Sequence, residues 1–151
     1  MISPTGPALG AGRSRLVAHF KDGQISKGFS RDFDPAADSF HMVRSAGGIT
    51  ESRQIRLDEL KALFHVKSWG RKDKHLNGVT GGFNDPPPRA WQRGAIKTVV
   101  EFYDGEKIFG YSRDYDPSRL GFYVVPADRL DNNRTIYVVN SALVNIQFLR
   151  E

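Results

Sequence analysis

Two stretches of the chain alternate apolar and polar positions in the same way. In residues 98–126, TVVEFYDGEKIFGYSRDYDPSRLGFYVVP, Val100 and Phe102 alternate with Val99, Glu101 and Tyr103. In residues 16–44, LVAHFKDGQISKGFSRDFDPAADSFHMVR, Leu16, Ala18 and Phe20 alternate with Val17, His19 and Lys21. A period of two marks a strand with one buried face, and the Phe20 and Phe102 series reads as the inward one. Asp22-Gly23 and Asp104-Gly105 follow directly. They are hairpin signals, because glycine tolerates positive φ. Second strands then run to Gly28-Phe29-Ser30 and Gly110-Tyr111-Ser112. Their mid-strand glycines predict a sharp bend or bulge. Asp34-Pro35 and Asp116-Pro117 mark the next turns. Further strands are predicted over 40–43 and 122–125, near 54–57 and 135–139, and near 63–66 and 146–149. One segment is in conflict. Residues 57–64 read as helix by propensity, whereas the aligned 138–144 read as strand. A single 3₁₀ turn between two short strands satisfies both.

These regularities amount to an internal repeat. The two stretches align at an offset of 82 without a gap, and 12 of 29 positions are identical. Phe29 exchanges with Tyr111, and Phe33 with Tyr115. The second halves match less well: Leu60-Lys61-Ala62-Leu63 aligns with Leu143-Val144-Asn145-Ile146 once one residue is inserted. The chain divides into a tail (1–15), a first repeat (16–67), a linker (68–97) and a second repeat (98–151). The linker holds Gly81-Gly82, Pro86-Pro87-Pro88, Trp69 and Trp91. Its prolines favour extended polyproline II.

The spacings Gly23-x4-Gly28-x5-Asp34 and Gly105-x4-Gly110-x5-Asp116, each behind an apolar strand, resemble the first motif of the Sm and Sm-like family. The resemblance implies a mainly β chain of two tandem five-stranded, strongly bent, Sm-like (SH3-like) small barrels. It also implies ring assembly and RNA binding. Two departures bear on the RNA activity. The family's Asn after the Asp is replaced by Ser39 or Gly121. Its Arg-Gly before the last strand is replaced by Asp58-Glu59 or Asn140-Ser141. The tandem pattern is also similar to uncharacterised bacterial domains associated with signalling proteins.

Charge sharpens the picture once it is placed. The net +5 is distributed as +2 in residues 1–15, 0 in 16–66, +5 in 67–97 and −2 in 98–151. Basicity therefore lies in tail and linker rather than in the repeats, which weakens any step from a high pI to nucleic-acid binding. No cysteine is present, which removes disulfides, thiol catalysis and Cys-ligated zinc. No apolar run approaches the roughly 18–20 residues of a membrane helix, and residues 1–12 lack the apolar stretch of a signal peptide. A cytoplasmic protein is expected.

The longest stretch shared by the repeats is Ser-Arg-Asp-aromatic-Asp-Pro, at residues 30–35 and 112–117. Read functionally, Ser30, Arg31, Asp32, Ser112, Arg113 and Asp114 form a paired recognition surface, the arginine forks binding a carboxylate or phosphate. Read structurally, each copy is a strand end and an Asp-Pro turn with Arg and Asp paired locally. In the linker, Trp69, Arg71, Lys72, Lys74, Arg89, Trp91 and Arg93 can hold single-stranded nucleic acid by stacking and charge. Alternatively, the tryptophans pack on the barrels and the cations stay solvated. His19, His41 and His65 fall near strands of the first repeat, but Glu101, Tyr123 and Phe148 stand at the aligned places, so no metal site or cofactor is expected. Asp32 with Asp34, and Asp114 with Asp116, are carboxylate pairs without any further catalytic signature. The expected function is a non-catalytic interaction or adaptor module that binds a protein partner or itself through strand edges. RNA or single-stranded DNA binding through the linker, and sensing of an anionic nucleotide, are the alternatives. The Arg-x-x-x-Arg and Asp-x-Ser-x-x-Gly pattern of a PilZ-type cyclic-dinucleotide site is absent.

Overall fold

The computed structural model describes residues 14–69, 83, 94–128 and 131–149. Ten strands follow the alternation seen in the sequence: β1 (Ser14–Phe20), β2 (Ile25–Ser30), β3 (Ser39–Ala46), β4 (Ile49–Arg56), β5 (Leu60–Val66), β6 (Ile96–Phe102), β7 (Lys107–Ser112), β8 (Gly121–Pro126), β9 (Asn133–Val139) and β10 (Leu143–Leu149). The Asp-Gly turns are equivalent. Gly23 and Gly105 sit at φ +93° and +92°, and their N–H groups donate to the carbonyls of Phe20 and Phe102 at 3.0 and 2.9 Å. Only glycine enters that φ region without strain.

The mid-strand glycines answer to a different demand. Gly28 and Gly110 lie where β2 and β7 pass under the next strand. A Cβ on Gly28 would stand 2.7 Å from Met42 Cγ and from the Val43 carbonyl oxygen, and one on Gly110 would meet the Val125 carbonyl. The pairing there is brief: β2 meets β3 only at Phe29↔Val43, although it pairs with β1 along its whole length. Each glycine therefore marks a close backbone approach that a side chain would fill.

The architecture is mainly β with five strands per repeat, but the two sets do not close into separate barrels. They form one open antiparallel sheet in the order β10-β6-β7-β8-β9-β5-β1-β2-β3-β4. The join is β5 against β9, with Ala62↔Val138, Leu63↔Tyr137, Phe64↔Ile136 and His65↔Thr135 opposed. Side chains alternate across these strands. Leu63, Tyr137 and Val139 therefore enter one core with Leu16, Phe20 and Phe40, while Phe64, Ile136 and Val138 enter another with Val100, Phe102 and Phe122. A strand buried on both faces needs an unbroken apolar run rather than alternation. This explains why residues 57–64 are not helical: a three-residue 3₁₀ turn, Leu57–Glu59, leads straight into β5. Its counterpart Asn140–Ala142 leads into β10. Among the described residues no helix is long and apolar enough to cross a membrane.

Candidate functional site

Most residues of the repeated hexapeptide follow from their neighbours. Asp32 accepts the main-chain N–H of His41 at 2.9 Å. Asp114 does the same for Tyr123 at 3.2 Å. These bonds pin the loop to the entry of the following strand. Burial draws the Asp32 carboxyl upward, but hydrogen bonds from the His41 ring and backbone and from Ser30 outweigh it and hold it below the usual range. Ser30 Oγ donates to Asp32 at 3.1 Å and accepts the Asp32 N–H. Asp34 and Asp116 accept the N–H two residues on, at 2.9 Å in both copies. The aromatic packs inward: Phe33 on Phe40, His65 and Tyr137, and Tyr115 on Phe122 and Phe148.

The fold thus accounts for Ser30, both pairs of aspartates and the aromatics, and leaves Arg31. That side chain is exposed. It lines a pocket of about 430 Å³ with Phe29, Ser30, Asp32, His41 and Val43. Arg113 is exposed at the equivalent place. Ser112 is buried, and its Oγ has no hydrogen-bond partner among the described residues. The two hexapeptides converge at their outer ends. A groove of about 540 Å³ is lined by Pro35 and Asp38 on one side, Asp114, Arg119 and Tyr123 on the other, and Arg56.

Of the linker residues, Trp69 is described. It is partly exposed and its ring stands edge-on to Phe29, centroids 5.6 Å apart. Arg71, Lys72, Lys74, Arg89, Trp91 and Arg93 lie outside the described residues. The first-repeat histidines do not share a site. His41 pairs with Asp32 at 2.9 Å. His19 stacks on Phe64 at 4.5 Å, and His65 is packed between Phe33 and Tyr123. Burial pushes the His19 and His65 rings down to about 4, with the Lys61 charge adding to the effect at His19. Among the described residues no three His, Cys, Asp or Glu gather as a cation ligand set.

Two features of the joined sheet go beyond the sequence reading, which expected open edges without placing them. The first is Lys61 on β5, its side chain 6% exposed, which binds Asp104 at 2.7 Å and also Glu106, both in the β6–β7 turn of the other repeat. Burial works against its charge, but these hydrogen bonds raise its pKa above the ordinary lysine value. The Tyr103 hydroxyl adds a bond to the Lys21 carbonyl. The second is the identity of the sheet ends: among the described residues β4 and β10 each pair with one neighbour and leave the other edge open. On β10, Val144, Phe148 and Leu149 are 62%, 36% and 40% exposed. The signal for both lay in the weak match of the second halves. Ile136-Tyr137-Val138-Val139 stands where β4 has Arg53-Gln54-Ile55-Arg56, an apolar seam against a polar edge.

A model of a family of unknown function, DUF6982, matches residues 12–150, and the chain belongs to that family. No curated protein and no solved structure matches it significantly.

Proposed function

We propose that this member of DUF6982 is a non-catalytic interaction module that engages its partner through the open edges of its sheet. The observation that carries the reading is β10. Among the described residues no strand pairs with its outer edge, a row of main-chain donors and acceptors beside exposed Val144, Phe148 and Leu149. An apolar, unprotected edge is a ready template for another strand. The other open edge, β4, differs in carrying Glu51, Arg53 and Arg56 at exposed positions. The test is capture from lysate on the immobilised chain, with and without nuclease, beside the double variant Val144→Asp with Leu149→Asp. Both side chains are exposed, so the fold tolerates the change. A protein retained after nuclease and lost with the variant is the expected result. Capture indifferent to the variant would refute the edge reading.

A second reading has one specific observation behind it. Phe29 lines the Arg31 pocket on one side and contacts Trp69 on the other. This sets an aromatic pair beside an exposed guanidinium, the chemistry that stacks a base and holds a phosphate. Quenching of tryptophan fluorescence by single-stranded RNA or by a nucleotide, abolished in Arg31→Ala, is its expected signature. Salt-insensitive quenching would speak against it.

A further inference from the structure

We infer that β4 of one copy of this chain pairs with β10 of another, head to tail, in the register that β9 and β5 use within the chain. The inference rests on the edge reading above and names the occupant of those edges.

The strand orders supply the geometry. The first set runs β5-β1-β2-β3-β4 and the second β10-β6-β7-β8-β9. The join inside the chain uses the fifth strand of the first set and the fourth strand of the second. What remains unpaired is the fourth strand of the first set and the fifth of the second, the same two kinds of edge that already fit each other. A contact between unlike edges leaves the same two edges free at its ends, so it repeats until a ring closes or a filament grows.

The register follows from the equivalences. Leu60–Val66 and Leu143–Leu149 are 83 positions apart, as are the 3₁₀ turns before them and the strand ends Arg56 and Val139. Carrying the β5–β9 pairs across this offset opposes Asn145 with Ile55, Ile146 with Gln54, Gln147 with Arg53 and Phe148 with Ser52. Leu149 falls opposite Thr50, beside Ile49, which is 65% exposed. Residues 143–149 carry no charge, so Glu51, Arg53 and Arg56 of β4 meet no like charge across the seam.

One difference sets the strength. The position of Lys61 is taken in β10 by Val144, and the positions of Asp104 and Glu106 by Asp22 and Gln24. The contact between copies therefore lacks the ion lock of the internal seam, which makes it the weaker and reversible one.

Sedimentation velocity on the full chain, from micromolar to near-millimolar, reads the association. Concentration-dependent growth beyond the monomer is expected, and Val144→Asp with Leu149→Asp should hold the chain monomeric throughout. Val144→Lys restores a cation facing Asp22 of the neighbour. It should tighten association roughly two- to tenfold, an effect that Asp22→Lys reverses. A sticky apolar patch would instead be weakened by that lysine. Register is read by oxidation, since the chain has no cysteine of its own. Arg53→Cys with Gln147→Cys in one chain should give a ladder of disulfide-linked copies, and Arg56→Cys with Gln147→Cys should not. A monomer at every concentration, association untouched by the double Asp variant, or equal cross-linking off register would each overturn the inference. If the monomer still captures a different protein through β10, the interaction-module reading survives alone. If it captures nothing, both fall.

Discussion

Asp32 and Asp114 each accept the main-chain N–H nine residues on, and this explains their place in both repeats without recourse to a ligand. Removing such an acceptor loses a hydrogen bond to a charged group, and because the site is exposed and water can replace it the cost should be about 1 kcal/mol. Urea melts should show that loss for Asp32→Ala. Arg31→Ala should stay within roughly 0.5 kcal/mol of the parent, because the side chain is exposed. If Arg31→Ala destabilises as much as Asp32→Ala, the arginine is a fold residue and the pocket reading loses its anchor. The hexapeptide was legible in the sequence as a conserved unit. Its division into fold residues and one exposed arginine was not, because the bonds run to β3 and β8, which sequence spacing does not place. His65 carries a separate expectation. Its ring is pushed from 6.5 to about 4 by burial, as is that of His19. Above pH 6.5 both rings are neutral folded or unfolded, so stability is fully present. Between 6.5 and about 4 only the unfolded chain gains protons, and stability falls, by up to about 1.4 kcal/mol per pH unit for each ring. His65 Nε2 also lacks a hydrogen-bond partner among the described residues, and the second repeat has Phe148 there. His65→Phe should therefore raise stability by about 1 kcal/mol at pH 7.5 and make the decline from pH 6.5 to 4.5 shallower. An unchanged slope in denaturant melts across that range would disprove the assignment.

At the scale of elements, the glycines show what a sequence can and cannot say. A glycine inside a strand pattern marked Gly28 and Gly110 as special positions, and the structure shows a close approach of the next strand at both. The cause, a carbonyl of that strand standing within contact of the missing Cβ, depends on where β3 and β8 lie in the sheet, which no local pattern reveals. Gly28→Val and Gly110→Val should each destabilise by about 1–3 kcal/mol. Gly110 should be the worse of the two, because a backbone carbonyl oxygen stands nearer the missing Cβ there than the 2.7 Å found at Gly28. Thermal melts that leave both variants at the parent midpoint would contradict the close approach. The segment 57–66 teaches the converse. Leu, Lys, Ala and Leu favour helix by tenths of a kcal/mol per residue, whereas burying Leu60, Leu63 and Phe64 contributes roughly 1.5–3 kcal/mol each. Tertiary burial on both faces wins, and only three residues remain in a 3₁₀ turn.

At the scale of the whole molecule, the repeat was readable but its closure was not. Five strands per copy suggested two self-contained barrels. Yet β5 and β9 are apolar on both faces, and by pairing edge to edge they place one face in each of the two cores. Sequence alternation describes one face at a time, so it cannot tell a strand inside a barrel from one shared by two cores. The seam can be tested through Lys61. Its stem lies in the core and its ammonium lies 4.8 Å from the centroid of the Phe102 ring. The ammonium binds Asp104 and Glu106, whose side chains are 42% and 21% exposed. Two variants separate the contributions. Lys61→Met keeps most of the apolar stem and removes the charge. Because both carboxylates can rehydrate, the cost should be modest, about 1 kcal/mol. Lys61→Ala also deletes three buried methylenes at about 0.8 kcal/mol each, so it should cost roughly 3–4 kcal/mol. A double-mutant cycle isolates the ion pair: Lys61→Met and Glu106→Gln should show a coupling of about 0.5–1.5 kcal/mol in urea melts near neutral pH. The acid limb supplies the independent check. The Asp104 carboxyl is drawn upward by burial but held below its ordinary value by Lys61 and by the Glu106 N–H, so it contributes stability above about pH 4 that is lost as the pH falls further. In Lys61→Met most of that depression is gone, so the acid loss due to Asp104 should shrink. A cycle with no coupling, together with an acid limb identical to the parent's, would show that apolar burial in β5 and β9 joins the two repeats without help from the lock.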